Sequence, residues 1–291
     1  MEKRTETKMK IHFLGTGAAE GVPGVYCDCE TCREVRRRGE REYHTRAQLL
    51  IDDGVLGIDY PPDAYAHALR FNVDMRKTER LLITHSHMDH FYAHDFILRG
   101  YKYASAGLKP LYIYGNEEVR KVFEECTKRE MREQVRDTIH VITLSPFESV
   151  SFDGYTITPL LAQHSTAETA FVYLIEKGKV SYLHLTDTGR LPKATLEWLD
   201  AYFSQRQEKV NFVTFDCTFL FRESGEISRH MGLEDNRAME IEFLQRGIVD
   251  GKTRYAITHF SHNGAPLSEN LAKAEKEYGY LAAYDGLEVE I

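Results

Sequence analysis

Leu81-Leu82-Ile83-Thr84-His85-Ser86-His87-Met88-Asp89-His90 is the stretch from which the rest of the chain is read. Its first four residues, apolar or β-branched, predict a buried strand. That strand runs straight into three His and one Asp within six positions. The chain has 13 His among 291 residues, and chance would put this pattern in such a chain on the order of one time in a thousand. A surface loop rich in His by accident is therefore the weaker reading. A strand end projecting into a loop places His85 and His87 on one cation and turns Asp89 and His90 toward a second. Neutral imidazole and carboxylate suit zinc, manganese or iron.

One loop cannot complete two coordination spheres. Further donors are expected at other strand ends, and three stand where an apolar run gives way to small or polar residues: His164, Asp187 and His259. A carboxylate between two cations is the natural bridge, which selects Asp187. Outward from this centre the pattern predicts strands at 11–14, 47–51, 55–59, 81–84, 110–114, 140–143, 148–152, 155–162, 170–176, 180–186, 210–216, 254–258 and 288–291. Helices are predicted at 62–71, through Arg99 after the metal loop, and at 117–128, 192–206, 233–246 and 267–278. Residues 1–10 are polar and expected to fray. Strands in runs with helices between them, and no linker or repeat, predict one α/β domain spanning 1–291.

Composition narrows the function. Hydrophobic residues make up 42% of the chain and the charge balance is −8, with 37 Lys and Arg against 45 Asp and Glu. A large core follows, and sequence-independent nucleic-acid binding is disfavoured. No apolar run approaches the roughly 18 residues of a membrane span. The start, MEKRTETKMK, is not a secretory signal, so a cytoplasmic protein is expected. Of five Cys, three lie in Cys27-Asp28-Cys29-Glu30-Thr31-Cys32. In a reduced compartment such a cluster reads as a metal loop more readily than as free thiols. Cys126 and Cys217 read as small buried hydrophobes, and His12 and His184 as packing within strands.

The pieces FLGTGAAEGVP, THSHMDH, AQHS, LTDTG and THFSH span residues 13–262 in the order found in metallo-β-lactamase-fold hydrolases, and the chain resembles that superfamily. Within it, CDCETC, FDC, RHMGLEDN, THFSHNG and the terminal YDGLEVEI resemble the PhnP-like phosphodiesterases of carbon–phosphorus lyase operons. The resemblance implies an αβ/βα four-layer sandwich of two mixed β-sheets flanked by helices. It implies one divalent cation on His85, His87 and His164, a second on Asp89, His90 and His259, and Asp187 bridging them. The cations would be manganese or zinc, or iron, with a hydroxide between them aimed at phosphorus. His230 matches the histidine on the leaving-group side, and with Asp89 it forms the catalytic assignment. Asp59 matches a carboxylate behind the metal loop. The resemblance also implies a structural zinc on Cys27, Cys29, Cys32 and His262. The chain departs from the family at Tyr60-Pro61 and at His94.

The expected function is a dinuclear metal-dependent phosphodiesterase for small or cyclic phosphodiesters, in a chain that could form a homodimer. The alternatives are a thioester or lactone hydrolase, a tRNA 3′-processing nuclease, and a cofactor-biosynthesis binding protein resembling the pyrroloquinoline-quinone accessory protein. The separate His230 segment favours phosphoryl chemistry, because a poor alkoxide leaving group benefits from an acid. The net charge counts against RNA. His44 and Arg46 are further residues with a possible reach to phosphate, weighed equally against a surface role.

Overall fold

The computed structural model describes residues 7–105, 107–225 and 228–291. Its strands are β1 (Lys10–Gly15), β2 (Gln48–Ile51), β3 (Leu56–Ile58), β4 (Arg80–Leu82), β5 (Leu111–Gly115), β6 (Ile139–Thr143) and β7 (Val150–Phe152). They continue as β8 (Tyr155–Leu161), β9 (Phe171–Lys177), β10 (Val180–Leu185), β11 (Phe212–Asp216), β12 (Arg254–Thr258), β13 (Leu281–Ala282) and β14 (Glu288–Glu290). Two seven-stranded sheets result, in the orders β14-β1-β2-β3-β4-β5-β6 and β13-β12-β11-β10-β9-β8-β7. Both are mixed: β1, β2 and β3 pair antiparallel and β3 to β6 parallel, while β7 to β10 pair antiparallel and β10 to β13 parallel.

Strand periodicity divides the side chains between layers. Along β9, Phe171, Tyr173 and Ile175 face the core between the sheets, where they meet Phe13, Leu49 and Ile58. Their neighbours Val172 and Leu174 face the opposite way, into the helix-covered layer. That layer packs against α5 (Lys193–Ser204), α6 (Leu233–Gln245) and α7 (Ser268–Tyr278), which follow α1 (Glu30–Arg38), α2 (Ala64–Arg70), α3 (Glu117–Thr127) and α4 (Glu133–Arg136). Val119 and Phe123 of α3 cover Leu81 and Ile113 on the outer face of the first sheet. Helices lie outside and two sheets inside, the four-layer arrangement expected. Tyr173 crosses between the sheets: its hydroxyl donates to the Ile83 carbonyl at 2.6 Å, at the mouth of the metal loop.

Some local expectations change. Met9 is fully buried and its amide donates to the Ile291 carbonyl at 3.0 Å, so order begins before β1 rather than fraying to residue 10. Residues 1–6 lie outside those described. The predicted helix after the metal loop is a 3₁₀ segment, Ala93–Leu98. Its entry is held extended where the Tyr92 amide donates to the Tyr60 carbonyl at 2.7 Å, so the turn starts only at Ala93. Cys126 is only half-buried, at the edge of α3.

Candidate metal centre

The centre assembles where strands leave the sheets. Asp59, Asp187 and His259 follow β3, β10 and β12, and each turns the chain with a positive φ, of 61°, 56° and 63°. Asp and His enter this left-handed region more readily than most residues, though it still carries strain. The turn directs each side chain to a common rim. Asp187 is the hub: its Oδ2 lies 3.3 Å from His85 Nε2, 3.1 Å from His90 Nε2 and 3.8 Å from His259 Nε2. Its Oδ1 lies 3.0 Å from His164 Nδ1 and 3.0 Å from His230 Nδ1.

Donor atoms of His85, His87, His164 and Asp187 fall within 4.8 Å of one another, as do those of Asp89, His90, Asp187 and His259. Asp187 belongs to both groups. Behind them, Asp59 Oδ2 sits 2.6 Å from His90 Nδ1, and Asp59 Oδ1 accepts from the Thr84 amide at 2.9 Å. That contact turns His90 Nε2 toward the hub.

Electrostatics identify what this cluster lacks. Asp59, Asp89, Asp187 and Asp216 are all buried. Their ion-pair partners among the described residues are histidines, with no Lys or Arg. Buried carboxylates need positive charge close by. His90 Nε2, His259 Nε2 and Asp187 Oδ1 are buried without a hydrogen-bond partner. Burial presses the His85 imidazole well below its ordinary range, and neighbouring His90 adds to this, which keeps a neutral nitrogen available as a ligand. Burial acts the same way on His90, but Asp89 and Asp59 overcome it and hold its pKa well above the ordinary value. Buried anionic oxygens and inward lone pairs fit divalent cations, and the donor chemistry suits zinc, manganese or iron.

His230 stands at the open side. Its side chain is 26% exposed, against 2% for His259. Asp216 was not singled out in the sequence, and it connects these two histidines. Its Oδ2 lies 3.2 Å from His230 Nδ1 and 3.3 Å from His259 Nδ1, while its Oδ1 accepts the amides of Thr218 and Met231, each at 3.0 Å. The apolar run NFVTF before it carries the same strand-end signal as the run before Asp187. Burial works against ionisation, yet hydrogen bonds from His230 and His259 hold Asp216 down at about 2. Burial also lowers His230, but Asp187 and Asp216 raise it to about 10.

The cysteine loop forms a second cluster at some remove in the chain. Cys27, Cys29, Cys32 and His262 place their donor atoms within 4.8 Å of one another. Cys29 Sγ lies 3.3 Å from His262 Nδ1 and Cys27 Sγ 3.6 Å from it. Cys29 is the N-cap of α1, accepting from the Cys32 amide. That hydrogen bond and the one from His262 outweigh burial and draw the thiol well below its ordinary pKa. A helix N-terminus favours thiolate, the form that binds metal. Four soft or borderline donors in this spacing fit a closed tetrahedral zinc.

The remaining residues fall elsewhere. His44 is buried against Thr16 and the Pro266 carbonyl, and the Arg46 guanidinium is engaged by Asp63 at 2.9 Å and the Ala19 carbonyl at 2.8 Å. These contacts use both ring nitrogens of His44 and the Nε and Nη1 of Arg46. Tyr60 touches the metal loop through its backbone, its amide donating to the His90 carbonyl at 2.7 Å, while His94 is exposed beside Tyr92.

Two facing mixed sheets with such a rim define a metallo-β-lactamase-fold metal hydrolase. The chain belongs to the β-lactamase superfamily: the family model described as "Beta-lactamase superfamily domain" matches residues 57–244. The structure is similar to that of a diphosphatase of the PhnP family, at 22% identity and TM-score 0.73, covering 98% of each chain. It is similar to zinc-bound PqqB from Methylobacterium extorquens, at 16% identity and TM-score 0.71, covering 97% of this chain and 100% of that one. Over 166 residues it is 30% identical to a ribonuclease Z from Halalkalibacterium halodurans, covering 54% of this chain and 46% of the relative. The match therefore spans under half of that relative's length. Among the described residues no helix is long and apolar enough to cross a membrane.

Proposed function

We propose that the protein is a dinuclear metal-dependent phosphodiesterase acting on small or cyclic phosphodiesters. The observation that carries this reading is the Asp187 hub: one buried carboxylate shared by two histidine clusters, with His230 on its open side. His85, His87 and His164 hold one cation, and Asp89, His90 and His259 the other. Asp187 is common to both. Two such cations supply an acidified water as nucleophile and counter-charge for the phosphoryl oxygens. Asp59 fixes the ring of His90, and Asp216 fixes those of His259 and His230. Asp216 holds the Nδ1 side of His230, leaving Nε2 to meet the departing oxygen and give it a proton. The Cys27, Cys29, Cys32 and His262 cluster holds a structural zinc that ties the loop before α1 to the loop after β12.

The similarity to PhnP-family and ribonuclease Z proteins supports phosphoester chemistry. The test is turnover by the metal-loaded protein of an activated phosphodiester beside a thioester and a lactone. Preference for either carbon ester rejects the reading. A second reading, a tRNA 3′-processing nuclease, is favoured by the ribonuclease Z similarity, and the net charge of −8 stands against it. Cleavage of a precursor tRNA at a rate exceeding that of small diesters would select it.

A further inference from the structure

Two separate segments build the first histidine cluster. His85 and His87 leave β4, whereas His164 lies in the turn between β8 and β9. His87 is the exposed member of the cluster, so packing does little to fix it. The residue between the two loop histidines, Ser86, is gripped from the other segment by Glu168. Glu168 Oε2 accepts the Ser86 amide at 3.0 Å and Oε1 accepts the Ser86 hydroxyl at 2.8 Å. Asn116 Nδ2 donates to Glu168 Oε2 at 2.7 Å and to the Thr169 carbonyl at 2.8 Å, while its Oδ1 caps α3 through the Val119 amide at 2.9 Å. The carboxylate is thus fixed on one side to a helix N-terminus and on the other to the apex of the metal loop. In the second cluster Asp59 holds a histidine directly, through His90 Nδ1 at 2.6 Å.

We infer that Glu168 is a positioning residue that sets the cation affinity of the His85–His87–His164 pocket, as Asp59 does for the Asp89–His90–His259 pocket. The inference rests on the dinuclear reading proposed above. Glu168 touches no donor atom of the cluster. It acts through Ser86, holding His85 and His87 at the separation that lets both face His164. Three donors converge on its two oxygens: the Ser86 and Asn116 amides on Oε2 and the Ser86 hydroxyl on Oε1. A Gln reproduces this pattern, its oxygen taking the two amides and its amide nitrogen donating to the hydroxyl, whereas an Ala removes all three contacts.

Manganese titration of the metal-free protein, read by calorimetry and by the electron paramagnetic resonance of the bound ions, tests this. Wild type is expected to bind two manganese ions at the His/Asp centre with a spin-coupled signal. Glu168→Ala should weaken one of the two by roughly 10–100-fold, the range for losing a group that orients a ligand. At intermediate metal its signal should be that of an isolated ion. In a His87→Ala background, already lacking that pocket, Glu168→Ala should change the remaining affinity by less than about twofold. Both affinities unchanged in Glu168→Ala, or both weakened equally, overturns the inference. A wild type that binds no pair of ions overturns the dinuclear reading instead. Should Glu168→Ala fail to fold, Ser86→Ala, which removes one of the three contacts, must show the same one-ion weakening.

Discussion

His230 separates binding from chemistry more cleanly than any other residue of the rim. It lies outside both four-residue groups centred on the metal loop, yet its Nδ1 is 3.0 Å from Asp187. His230→Ala should keep its metal content and lose about 10²–10⁴ in rate. The loss should be smaller for a nitrophenyl ester, whose phenolate leaves without a proton, than for an alkyl ester. Measuring kcat/KM for both esters alongside metal analysis checks this; lost metal would make His230 a ligand, and equal losses would deny it the role of acid. Asp187→Ala should behave oppositely, releasing both cations, because both clusters share that carboxylate. The His-rich loop was legible in the sequence because its spacing is improbable by chance. Asp187 and His259 were legible because each ends an apolar strand. Asp216 ends one too and shares that signal, but its role emerges only when the fold brings His230 and His259 to it. Glu168, in the unremarkable run Thr166-Ala167-Glu168-Thr169, had none.

At the scale of elements, α1 and the loop after β12 are joined by the cysteine cluster. Cys29→Ser should remove one zinc per chain and lower the melting temperature, since binding energy at such a site is folding energy. Unchanged zinc and unchanged melting would reject a closed site. A second junction, of β1, β2 and α2, is polar: His67 Nε2 lies 2.7 Å from the Thr45 hydroxyl and Nδ1 2.7 Å from Gln48 Oε1. Burial, opposed by Asp285, pushes His67 down to about 4. A depressed histidine contributes stability that is complete above its unfolded pKa near 6.5 and is lost as pH falls toward 4. Between pH 7.5 and 5, wild type should lose about 2 kcal/mol more unfolding free energy than His67→Gln. Equal losses in urea titrations at the two pH values would contradict it. The longer helices α3, α5, α6 and α7 were legible from their periodicity, whereas the basic stretch of α1 fitted a solvated helix or a loop equally. The two-residue β13 and the four-residue α4 are too short to show one, and the 3₁₀ turn after the metal loop is set by the distant Tyr60 backbone.

The whole molecule is two sheets whose strand ends meet at one rim, with each sheet contributing donors: His85, His87, Asp89 and His90 beyond β4, and His164, Asp187 and His259 beyond β8, β10 and β12. Fastening of the sheets to each other is thus a condition for the site. Tyr173→Phe, which leaves the Ile83 carbonyl buried without its donor, should cost about 1–3 kcal/mol of stability, and denaturant midpoints measure it. The pairing of sheets was legible through the family resemblance rather than through periodicity, which does not say which strands face each other. The central claim is that this rim cleaves phosphodiesters with two cations bound. The most direct measurement is kcat/KM for bis(nitrophenyl) phosphate, nitrophenyl phosphate and a nitrophenyl thioester while metal-free His/Asp sites are titrated with manganese. Diester hydrolysis should rise to a plateau at the second equivalent and exceed the other two substrates throughout. Equal turnover of the monoester, a preference for the thioester, or a plateau at one equivalent would contradict the account.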